Sequence, residues 1–98
     1  MSALTADPGY LLTPTGALYY VVGSCHNDFG LLIRVAKFSH IGATQTVTLI
    51  TWRPGQFKRI LAGAQRLPEP SIHPKTGADL AGAKARLVER LAALPEGR

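Results

Sequence analysis

QTVTLITWRPGQFKRILAGAQRL, residues 45–67, contains the change of period that decides the fold. Up to Trp52 the chain alternates. Val47, Leu49 and Thr51 fall on one side, and Thr46, Thr48, Ile50 and Trp52 on the other, which is the two-residue period of a strand. After Pro54-Gly55 the apolar residues Phe57, Ile60, Leu61, Ala64 and Leu67 recur at helical spacing. Lys58, Arg59 and Arg66 gather on the opposite arc, around Ala62. A strand therefore gives way to an amphipathic helix at a proline, and the chain combines sheet with helix.

Upstream of this stretch the signals are those of strands and turns. Tyr10-Leu11-Leu12-Thr13 and residues 17–22 (ALYYVV) flank Pro14-Thr15-Gly16, which predicts a hairpin. Residues 23–30 (GSCHNDFG) are expected to be a loop, 31–38 a strand and 39–44 (SHIGAT) another loop. In 31–38, Leu31, Ile33 and Val35 share one face while Leu32, Arg34, Ala36 and Phe38 share the other, so neither face is wholly polar. Downstream, residues 68–75 (PEPSIHPK) hold three prolines and cannot continue a helix. Thr76 with Asp79 then forms a capping pattern, and Leu80, Ala83, Leu87, Leu91 and Leu94 make an apolar stripe widened by Val88 and closed by Pro95.

The expected fold is a single α+β domain, an antiparallel β-meander of three to four strands followed by two amphipathic helices (ββββαα). Its parts are a β-rich segment over 10–53, a basic helix over about 56–67, a proline-rich linker over 68–75 and a C-terminal helix over about 77–94. A chain of 98 residues with 46% hydrophobic composition can bury a core without staples. Cys25 is the only cysteine, which rules out an internal disulfide. The first residues carry no basic and apolar leader pattern, and no apolar run approaches the roughly 20 residues of a membrane span. The expectation is a cytoplasmic protein with no membrane partner.

Charge is distributed unevenly. Through Trp52 the charges are Asp7, Asp28, Arg34 and Lys37, which cancel, so the net +5 lies entirely in the second half. Between Arg53 and Leu67 there is no acid at all. Arg53, Lys58, Arg59 and Arg66 are therefore candidate contacts to phosphates or to an acidic protein surface, with Arg86 and Arg90 as extensions. The bland alternative is an amphipathic helix keeping its cations in water.

Lys84 lies inside the apolar arc of the second helix. Either its stem snorkels from the stripe edge, or Leu80, Lys84, Leu87, Leu91 and Leu94 form a seam for a partner helix or a homodimer.

Other constellations are weaker. Cys25-His26 with Asp28 lacks an orienting group, and adjacent side chains point apart, so no catalytic site is expected. His26, His40 and His73 match no metal-ligand spacing, so neither a metal nor a cofactor is expected. Tyr19, Tyr20, Phe29, Phe38, Trp52 and Phe57 could stack on bases, but core packing accounts for them better. Residues 68–77 are too long and proline-rich for the turn of a helix-turn-helix.

The expected function is a small non-enzymatic nucleic-acid-associated module of a bacterium, phage or mobile element. The alternative is a protein-interaction module, such as an inhibitor, adaptor or small subunit, docking an acidic surface.

Overall fold

A computed structural model of the chain describes residues 7–28, 30–41 and 44–93. The elements in order are β1 (Gly9–Leu12), β2 (Leu18–Asn27), β3 (Gly30–Ile41), β4 (Thr44–Trp52), α1 (Pro54–Gly63), β5 (Gln65–Leu67) and α2 (Ala81–Ala92). The five strands form one antiparallel sheet in the order β4-β3-β2-β1-β5. The α+β class, the meander and the two helices are as expected; a fifth strand is added.

The sheet is apolar on both faces, and one helix covers each. On one face Phe57, Ile60, Leu61 and Ala64 of the α1 segment pack with Leu11, Val21, Ile33, Val35 and Trp52. On the other, Leu80, Ala83, Leu87 and Leu91 pack with Tyr10, Leu18, Ala36, Phe38 and Val47. This explains why 31–38 has no polar face: its odd and even residues enter different cores. Aromatic rings reinforce both layers. Tyr10 lies 4.9 Å from Tyr20, and Tyr19 meets Trp52 edge-on at 4.9 Å, the offset geometries such rings prefer.

The β1–β2 hairpin turns as the sequence predicts. Gly16 N–H donates to the Thr13 carbonyl at 2.9 Å, and the Thr13 hydroxyl accepts from Ala17 N–H at 3.0 Å. Gly16 sits at φ +91° with the Lys75 stem against it, so a side chain there would meet both backbone strain and a close contact.

Three expectations are corrected. Residues 23–27 are not a loop: β2 runs on to Asn27, past a register shift between Val21 and Gly23. The 39–44 loop is also reduced, because β3 reaches Ile41 and β4 begins at Thr44. In both places hairpin pairing satisfies backbone groups that a loop would leave to water. Thirdly, the first helix ends at Gly63 rather than near 67. Glycine is a poor helix former, and the residues after it extend to pair with the open side of β1, Leu12 facing Gln65 and Tyr10 facing Leu67.

Segment 68–80 is ordered more closely than a linker. Ile72 bridges to Asp79, His73 N–H donates to the Ala78 carbonyl at 2.8 Å, and Leu80 N–H donates to the Ser71 carbonyl at 3.0 Å. His73 is buried, and its Nδ1 accepts from the backbone N–H groups of Lys75 and Thr76 at 3.0 and 3.2 Å. The helix that follows starts at Ala81, later than expected. The Asp79 carboxylate accepts from Ala81 N–H at 3.1 Å, while the Thr76 hydroxyl accepts from Ala78 N–H.

Two stability results follow. Phe57→Ala empties a fully buried ring site and should cost about 3–5 kcal/mol in urea unfolding. Lys58→Ala, one residue on and exposed, should change stability by less than about 0.5 kcal/mol. Equal losses for the two would contradict the inner and outer faces assigned to α1. Replacing His73 with Ala strips an acceptor from two amides and should cost about 1–3 kcal/mol. Faster amide exchange at Lys75 and Thr76 would locate that loss.

Candidate nucleic-acid interface

The two-sided core divides the cations of the second half between opposite sides of the sheet. Lys58 and Arg59 project from α1, because the apolar residues of that helix face the sheet. Arg53 is its exposed N-cap residue, and Pro54 occupies the first turn. No acid lies in that turn, so the positive end of the helix dipole is uncompensated there.

Arg66 is not on the helix. It lies on β5 opposite Leu11, whose side chain belongs to the α1-side core, so Arg66 faces the α1 side as well. Its Nη1 donates to the main-chain carbonyl of Asp7 at 3.5 Å rather than to the carboxylate, which leaves its charge available. Lys37, which sequence reading did not single out, joins this side. Its register partner Tyr19 packs into the α1-side core, and Lys37 itself is exposed. The signal was present in the alternation of β3, but the side it faces is fixed only once α1 is placed.

Arg86 and Arg90 are exposed on α2, across the sheet from this group. They do not extend the same surface, contrary to expectation, because the second helix covers the other face. The acids keep them company. Glu89 is in α2, Asp79 bonds its first turn, and Glu69 accepts from Lys84 Nζ at 3.1 Å. That ion pair gives Lys84 an acid from its own chain. Exposed Glu69 makes it worth little to stability.

The leucine seam is also used internally. Leu80 and Leu87 are buried at 2% and 5% exposure against the sheet, and Leu91 packs on the same cluster, so these residues do not present a stripe to a partner helix. Leu94 lies outside the described residues. Beside α2, Tyr10, Tyr20, Glu69, Lys84, Leu87, Val88 and Leu91 line a shallow cleft of about 220 Å³. Burial, and secondarily the Glu69 carboxylate and Tyr20, push the Tyr10 hydroxyl above the ordinary tyrosine pKa. Tyr10 is thus a neutral phenol throughout the physiological range.

Cys25 and His26 fall on β2 opposite Leu32 and Leu31, on opposite faces of the sheet, so they do not converge. Among the described residues no group of three or more His, Cys, Asp or Glu side chains is placed to hold a metal ion. No helix among them is long and apolar enough to cross a membrane. Comparison of the chain with protein-family models, with curated proteins and with solved structures finds no match in any of the three.

Proposed function

We propose that this protein is a non-enzymatic nucleic-acid-associated module that contacts phosphates through its α1 side. The observation that carries the reading is the segregation of charge. Arg53, Lys58, Arg59, Arg66 and Lys37 lie on one side of the sheet, whereas Glu69, Asp79 and Glu89 lie with α2 on the other. Fixed cations set apart from these three acids attract a polyanion more strongly than the net charge alone suggests.

Duplex is favoured over single strands. Recognition of single strands commonly relies on exposed aromatic platforms, and here Trp52 and Phe57 are buried while Tyr19 packs against Trp52. Phosphate contact without base readout fits what remains. Protein docking is the second reading, and it belongs to the other side: Val88, 65% exposed on α2, borders the cleft with Tyr10 and Tyr20.

A salt titration on a mixed-sequence duplex tests the proposal. A footprint of about four phosphates gives a log–log slope near −3.6, or about a 150-fold loss of affinity between about 50 and 200 mM salt. Lys58→Ala and Arg59→Ala should each reduce that slope by about 0.9, while Arg86→Ala and Arg90→Ala leave it unchanged. No binding at the low-salt end would end the reading. Equal effects from all four changes would show that the sided surface is irrelevant.

A further inference from the structure

The two edges of the sheet are unequal. β5 is three residues long, carries Arg66 and is followed by Pro68. A short strand, a charge and a proline are the usual means of keeping an edge from pairing with another chain. β4 has none of them. It runs for nine residues, Thr44–Trp52, with no charge and no proline, and it pairs with β3 without a register shift. Among the described residues, none of the turn, loop, cap or side-chain hydrogen bonds engages β4, so its outer edge has no partner among them.

We propose that β4 is the seam of a homodimer, pairing antiparallel with β4 of a second copy about a two-fold axis normal to the sheet. An extended edge is self-complementary about such an axis, because the donors and acceptors of one copy meet the acceptors and donors of the other. Charge selects the occupant. β4 itself carries no acid or base, so the strands of two copies can pair along it without like charges meeting in the ladder. A neutral edge offers nothing to an acidic partner, whereas Thr46 and Thr48, which share a face of β4, would form the threonine cross-strand contacts that stabilise antiparallel pairs.

The axis keeps like faces together. Both α1 helices then lie on the same side of a ten-stranded sheet, and since α1 packs over β3 and β4, the two basic surfaces flank the seam. The pairing itself does not depend on the nucleic-acid reading; only the doubled basic surface does.

Sedimentation equilibrium of the full chain from micromolar to millimolar concentration tests the pairing. The expected result is a species of twice the 10.5 kDa chain mass, populated with rising concentration. Amide exchange should slow along β4 in step with dimer formation. Thr48 faces Lys37 across the β3–β4 register, so Thr48→Glu gains an opposite charge within its own chain and retains the fold, checked by circular dichroism. In the dimer it brings like charges to the seam and should weaken association about fivefold or more. Val88→Glu, on α2, should have no such effect. A monomer at every concentration overturns the proposal. So does a dimer that Val88→Glu disrupts and Thr48→Glu does not. Duplex binding by a monomer would leave the phosphate-binding reading standing while the pairing fails.

Discussion

The structure depends on a sheet that is apolar on both faces and must be covered twice. Antiparallel sheets commonly leave one face to water, and their strands then alternate apolar with polar. Here β3 places Ile33 and Val35 in one core and Ala36 and Phe38 in the other, so neither face tolerates solvent. With two helices available, each must take one face. The chain satisfies this by sending α1 from β4, at one edge, to β5, at the opposite edge. The helix is thereby drawn across the sheet, and its inner side is committed to Leu11, Val21, Ile33, Val35 and Trp52.

That commitment also sorts the charges. Once Phe57, Ile60 and Leu61 point inward, Lys58 and Arg59 have only water to face, and the burial of Leu80, Ala83 and Leu87 turns Arg86 and Glu89 out on the other side. The separation of Lys58 and Arg59 from Glu69, Asp79 and Glu89 is thus a by-product of core packing. The same packing buries Trp52 and Phe57 and sets Tyr19 against Trp52 on the α1 side. What the α1 side offers a ligand is positive charge and little else, the chemistry suited to a phosphate backbone and unsuited to reading bases.

Signals confined to a few neighbouring residues were legible in the sequence. Pro14-Thr15-Gly16 marks its hairpin, the alternation of 45–52 marks β4, and Pro54 marks the start of α1. What escaped depends on partners distant in sequence. Leu67 continues the helical spacing of Phe57, Ile60, Leu61 and Ala64, and only the open side of β1, over fifty residues earlier, makes it a strand residue. GSCHNDFG has the composition of a loop, and its residues extend because β3 lies beside them. His73 sits among prolines and polar residues like a surface histidine. Its burial follows from the way segment 71–80 folds back upon it. Local chemistry set the class of fold, while non-local pairing set which residues share a surface.

β5 shows how closely these two levels are joined. Successive residues of a strand face opposite sides, so in this strand of three residues Leu67 enters the α2-side core beside Tyr10 while Arg66 emerges on the α1 side opposite Leu11. A helix continuing through residue 67 would hold both on its own cylinder, leaving the far edge of the sheet uncovered and Arg66 tied to the orientation of α1. As a strand, the same residues close the edge of β1, contribute to one core and fix a cation beyond the end of the helix. Of the cations in the expected basic helix, Arg66 is the one that the fold detaches from it. Its detachment widens the positive surface from a helical stripe to an area spanning helix and sheet. Its position is set by backbone pairing to β1, so the reach of that surface is fixed by the sheet and not by the helix that the sequence first suggests.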